Sequence, residues 1–148
     1  MPRQPFQVLV FPYRRTANGD LLYALFRRRD LGAWQALAGG GEGVETQDAA
    51  ARREAFEEAG IARGLPLLGL KTVGTVSVDH FPDRANWDPE LKEIPEYGFA
   101  VAMTSDCLVL SDEHSEYSWL DFDAAIARLE WESNRALLRE LHHRLTTG

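Results

Sequence analysis

An α/β architecture, a mixed β-sheet with helices on its faces, is expected of this 148-residue chain. Runs rich in Val, Leu, Phe and Tyr alternate along it with runs of helical apolar spacing, and the order of strands, helix, strands and helices builds such layers. The length suits one domain, residues 1–148, able to bury most of its apolar surface around a single core. Apolar residues at 45% and charged residues at 26% exclude a disordered chain or a fibrous repeat.

The first two strands are "PFQVLVFPYRR" and "LLYALFRRR". Between them "TANGD" carries Asn18-Gly19, a strong turn signal, so they read as an antiparallel hairpin. "WQALAGGG" then reads as a short strand entering a glycine loop. "TQDAAARREAFEEAG" is a helix with Thr46 as N-cap, Asp48 in the first turn and Gly60 just past its end. "LPLLGLKTVGTVSV" and "YGFAVAM" follow as strands, flanking the long loop "DHFPDRANWDPELKEIPE", whose length marks it as a cover for a binding site. A short strand at "EYSWL" leads into "DFDAAIARL", and "ESNRALLRELHHRL" has helical apolar spacing at Ala136, Leu137, Leu141 and Leu145.

The net charge of −7 and pI of about 5.1 oppose stable binding to nucleic acid, which needs clustered Lys and Arg. No apolar run is long enough to cross a bilayer, and the N-terminus lacks a secretory pattern, so a cytoplasmic protein is expected. Cys107, the single cysteine, excludes an internal disulfide and reads as a small buried apolar residue in "CLVL". His80, His114, His142 and His143 form no metal-ligand pair and read as surface residues.

One stretch of the helix is unusual. In "ARREAFEEAG", with Glu54 set at 0°, Glu57 falls at about −60° and Glu58 at about +40°, so three carboxylates share a face with no lysine among them. Such pairs destabilise a helix by roughly 0.2–0.5 kcal/mol each, unless a divalent cation supplies the missing charge. Carboxylates are natural ligands of Mg²⁺, which favours a few acids plus water and phosphate. The other side of the helix, with Ala49, Ala55, Phe56 and Ala59, is apolar and suited to seat against a sheet. Just upstream, Gly39, Gly40, Gly41 and Gly43 would let backbone amides approach a ligand and take up positive φ.

Together Gly39, Glu45, Arg53, Glu54, Ala55, Glu57, Glu58, Gly60 and Ile61 resemble the Nudix box: Gly, five residues, Glu, seven residues, Arg-Glu-U-x-Glu-Glu-x-Gly-U, with U a bulky aliphatic. Chance would give the seven fixed residues on the order of once in 10⁸ positions. Ala55 departs from the pattern, being smaller than the usual U residue. The resemblance implies an αβα sandwich and a hydrolase that uses Mg²⁺, or Mn²⁺, to cleave a nucleoside diphosphate linked to another moiety. It implies Glu54, Glu57 and Glu58 as metal ligands, and Glu45 paired with Arg53 to hold the loop.

Outer motifs are similar to one branch of that family, the bacterial dihydroneopterin triphosphate and dATP pyrophosphohydrolases. They are Trp34-Gln35 before the box, "EHSEYSWLD" from Glu113, and Trp131, Ser133, Asn134 and Arg135. A general base outside the box is implied on a later loop, with Glu113 preferred over Glu116 or a box glutamate. Substrate phosphates would meet Gly39, Gly40 and a cation among Arg27, Arg28, Arg29 and Arg135. Trp34, with Gln35 beside it, Phe81 or Trp87 would meet a flat ring, although Trp34 suits the core equally. The implied reaction turns a (deoxy)nucleoside or dihydroneopterin triphosphate into the monophosphate and pyrophosphate. Hydrolysis of dinucleoside polyphosphates or nucleotide sugars, and a non-catalytic nucleotide sensor, are the competing readings. The implied partner is a small nucleotide or pterin polyphosphate, with no membrane, and the chain acting as monomer or homodimer.

Overall fold

The computed structural model describes residues 2–147, so the expected domain of 1–148 reaches one residue beyond it at each end. Strand β1 (Arg3–Arg15) is the spine. Its far end folds back through the Asn18-Gly19 turn onto β2 (Leu21–Arg28), with Tyr13 opposite Tyr23 and Gly19 at φ 87°. The earlier part of β1 pairs antiparallel with β4 (Leu37–Glu42) on one edge and parallel with β6 (Glu93–Ala102) on the other. Strand β5 (Leu67–Ser77) extends the sheet beyond β6, while β3 (Trp34–Gln35) and β7 (His114–Leu120) pair with β2. A seven-stranded mixed sheet results.

Helix α1 (Gln47–Ala59) covers one face; α2 (Phe122–Arg128) and α3 (Glu132–Thr146) cover the other. Alternation along β1 sends Val8 and Val10 towards α1, and Leu9 and Phe11 towards α2 and α3. This is why "VLVF" is apolar without a break: both faces of the strand are covered. Each such side chain, fully buried, contributes about 1.5–3 kcal/mol.

Helix α1 starts and stops where its sequence indicates. Thr46 Oγ1 accepts from the Ala49 N–H at 3.1 Å, and Gly60 takes φ 69° while its N–H closes onto Phe56 O at 3.0 Å. The buried side differs from expectation. Ala50, Ala51, Ala55 and Ala59 seat the helix, whereas Ala49 is exposed and Phe56 is 47% exposed beneath the Arg63 guanidinium. Only small side chains fit where the helix backbone approaches the sheet closely, so the short Ala55 suits its place.

Three further expectations are corrected. The loop before β6 is shorter than the sequence suggested, because its last residues join β6 and its middle winds into 3₁₀ turns at Val78–His80 and Pro82–Asn86. Cys107 is exposed in an irregular segment, since "CLVL" pairs with no strand. His114 is buried, at 2% exposure, where β7 passes Phe26. No helix among the described residues is long and apolar enough to cross a membrane.

Candidate active site

The glycines before α1 do not form a loop. Gly39, Gly40 and Gly41 lie inside β4, and of the cluster only Gly43, at φ 58°, has positive φ. Their lack of a side chain serves packing instead. A Cβ on Gly39 would collide with the Glu54 carboxyl, one on Gly40 with the Arg3 guanidinium, and one on Gly41 with the Phe6 ring. The strand is bare so that neighbours from both faces can cross it.

Arg53 organises the acids. Its side chain, 12% exposed, grips Glu45 at 2.8 and 3.0 Å and Gly40 O at 2.8 Å, and also reaches Glu54 at 2.9 Å and Glu57 at 3.1 Å. The expected Glu45–Arg53 pair therefore forms, and ties the turn before α1 to both β4 and the helix. These bonds, led by Glu45, raise the Arg53 pKa and hold Glu45 below the usual carboxylate range.

Glu58 has no such partner. It is 3% exposed, and neither carboxylate oxygen meets a hydrogen-bond donor of good geometry among the described residues. Burial first, then Glu113 and Glu54 nearby, push its carboxyl up to about 11. Glu54 is pushed up to about 7, by burial above all and with Glu57 and Glu113 adding to it, although Arg53 pulls the other way. A buried, orphaned carboxylate among other acids fits a divalent cation: hard oxygen donors, short of positive charge. No three acidic or metal-binding side chains among the described residues already converge as a cage, and Arg53 pairs with both Glu54 and Glu57.

Of the helix acids, Glu54 lines a cavity of about 1080 Å³ that opens on the α3 side of the sheet, while Glu57 and Glu58 stand behind it. Glu54 reaches it across Gly39. Glu113 lines it, whereas Glu116 points elsewhere and pairs with Arg27 at 3.4 Å. Arg28 and Gln35 also line it, Arg28 being held by Asp30 at 3.0 and 2.5 Å. Gly39 and Gly40 are screened from it by Glu54 and Arg3.

Trp34 and Arg135, expected to touch substrate, lie away from the cavity. Trp34 packs into the core beside α2, with Arg128 over its ring at 5.1 Å. Arg135 is turned to Leu129 O at 2.5 Å and Glu132 at 2.9 Å. The motif around Arg135 has a structural use: Asn134 Oδ1, buried, accepts from the Ala36 N–H at 3.0 Å and locks the break between β3 and β4. The aromatic residues lining the cavity include Trp131, whose Nε1 donates to Gln35 at 3.2 Å, and Phe81. Trp87 stays outside, tilted against Phe81 at 5.9 Å between ring centroids and donating to Arg3 O at 2.9 Å.

Sequence reading also missed Arg3, Gln7, Glu96 and His114, all of which line the cavity. Glu96 had a detectable signal. It falls on the inward phase of β6, in step with Ile94, Gly98 and Ala100.

An acidic helix behind a large cavity on a mixed αβα sandwich is the arrangement of a hydrolase that acts on phosphoanhydrides, and comparison with known proteins agrees. A NUDIX domain matches residues 4–141, and the chain belongs to the Nudix hydrolase family. It is 32% identical over 142 residues to the dihydroneopterin triphosphate diphosphatase of Escherichia coli K12, covering 93% of this chain and 92% of that one. A crystal structure described as a NUDIX hydrolase from Listeria monocytogenes superposes with a TM-score of 0.85 at 37% identity, covering 96% and 94% of the two chains. An Ap4A hydrolase of C. elegans shares the fold, with a TM-score of 0.76 at 21% identity over 98% and 100%. The family uses a divalent metal.

Proposed function

We propose that the chain is a Mg²⁺-dependent pyrophosphohydrolase that converts dihydroneopterin triphosphate, or a (deoxy)nucleoside triphosphate, to the monophosphate and pyrophosphate. The orphaned Glu58 carboxylate, close to the Glu54 and Glu113 that line a cavity large enough for such a molecule, carries the reading. The similarity to the Escherichia coli diphosphatase across nearly the whole chain supports the substrate class.

Glu54, Glu57 and Glu58 would hold the metal. Bound there, it would neutralise phosphate oxygens and lower the pKa of a water. The protein's own groups do the rest. Arg53 fixes the acids relative to β4, so the helix face and the cavity keep one geometry. Arg3 and Arg28, both lining the cavity, offer positive charge to the triphosphate, which an acidic protein must otherwise repel. Glu113, on the same wall and facing Glu58, accepts the proton of the attacking water. Phe81, between the two 3₁₀ turns, adds an aromatic face to the cavity lining.

The test is a product assay with Mg²⁺ over dihydroneopterin triphosphate, dATP, diadenosine tetraphosphate and ADP-ribose, run on the wild type and on Glu113→Gln and Glu116→Gln. Pyrophosphate release from dihydroneopterin triphosphate or dATP, a large loss in Glu113→Gln and none in Glu116→Gln is the expected pattern. Preference for diadenosine tetraphosphate or ADP-ribose would move the reading to dinucleoside polyphosphates or nucleotide sugars.

A further inference from the structure

Glu96 is the one buried acid that the chemistry above does not use. It is 3% exposed and lines the cavity. Its register partner in β1, Gln7, donates Nε2 to Glu96 Oε2 at 2.9 Å, and Gln7 Oε1 in turn accepts from Arg3 at 2.9 Å. The other oxygen, Oε1, is buried without a partner. Across from it in β5 stands Gly74, where a Cβ would come within 3.4 Å of that oxygen and 3.1 Å of Ser133 Cβ. The missing side chain keeps the space beside the oxygen open. A string of polar groups thus runs along the cavity floor from Arg3, next to Glu54, through Gln7 to Glu96, with the Trp131 wall beyond Ser133.

We propose that Glu96 reads the substrate's ring, its free oxygen accepting N–H donors from the 2-amino-4-oxopyrimidine edge shared by pterins and guanine. The free Oε1 has lone pairs and no donor to fill them, so the ligand edge that matches it is one rich in N–H donors. That edge carries a ring N–H and an amino group side by side. Adenine carries one amino group next to a ring nitrogen lone pair, and the lone pair would face the carboxylate. A buried acceptor left unpaired disfavours the wrong ring strongly. Trp131 supplies an aromatic wall for the flat ring. The assignment rests on the proposed function for the triphosphate at the other end of the cavity, and names the substrate class it takes.

Equilibrium binding without metal tests it, by quenching of tryptophan fluorescence with neopterin, guanosine and adenosine. The wild type is expected to bind neopterin and guanosine at least tenfold tighter than adenosine. Glu96→Gln should weaken neopterin on the order of tenfold to a hundredfold while leaving adenosine nearly unchanged. Because the substitution removes an unpaired buried acid, its thermal midpoint should equal or exceed the wild-type value. Equal affinities for the three rings in the wild type, no neopterin binding up to millimolar concentration, or unaltered neopterin binding in a folded Glu96→Gln would overturn the assignment. Should that variant not fold, the ring preference of the wild type decides alone. Glu96-dependent binding combined with no hydrolysis of any triphosphate would sink the proposed reaction and leave the ring assignment standing.

Discussion

Replacing Glu58 with Gln should make the metal-free protein more stable, not less. In the folded chain the Glu58 carboxyl is pushed up to about 11, against an ordinary value of 4.5. Between those values the folded state keeps a proton that the unfolded state has released. Stability from this group is therefore full below pH 4.5 and declines as pH rises towards the folded value. At pH 7 the interval is 7 − 4.5 = 2.5 units. At about 1.36 kcal/mol per unit, the loss is about 3 kcal/mol. Glu54, pushed up to about 7, adds a loss of the same sign. In EDTA at pH 7, Glu58→Gln should gain up to about 3 kcal/mol, or about 6–12 °C in Tm for a chain of this size. The gain should vanish near pH 4.5 and grow at pH 8. Millimolar Mg²⁺ or Mn²⁺ should reverse the order, since it stabilises only a folded state that binds it. Thermal melts across pH, with and without metal, are the assay. A variant less stable than wild type in EDTA at pH 8 would refute the argument that these acids await a cation.

Three other perturbations follow from the same geometry. Arg53→Lys supplies one ammonium where a planar fork held Glu45, Glu54, Glu57 and Gly40 O, so kcat should fall on the order of 100-fold in a steady-state assay. Gly39→Ala places a methyl where the Glu54 carboxyl lies and should lower kcat by a similar factor, while Gly64→Ala, with open space around it, should match wild type. Asn134→Ala strands the buried Ala36 N–H and should cost about 1–3 kcal/mol in urea denaturation; an unchanged midpoint would contradict the lock between β3 and β4.

The scaffold was largely legible because its signals are local. Alternation and the Asn-Gly turn placed the hairpin, and Thr46 and Gly60 bounded the acidic helix to the residue. What escaped depended on neighbours distant in sequence. Three consecutive glycines look like a loop until Glu54, Arg3 and Phe6 are seen crossing them. Trp34 and Arg135 carry plausible binding chemistry, yet each is occupied by core or helix-end contacts that no spacing reveals. Angular position put Glu54, Glu57 and Glu58 on one face, but not the gradient from a half-exposed Glu57 to a buried Glu58. His114 looked like surface because its flanks are polar, while its burial comes from Phe26 on another strand.

The passage of Glu54 over the bare strand has a further consequence. The acids rise from the layer packed by α1, whereas the groups that would grip the rest of a substrate project from β1, β6 and α3 into the opposite layer. Glu54, crossing β4 at Gly39, joins the two. Selection can therefore redraw the recognition chamber, residue by residue, without disturbing the cutting edge behind it, and a single scaffold becomes a handle for many blades' worth of substrates.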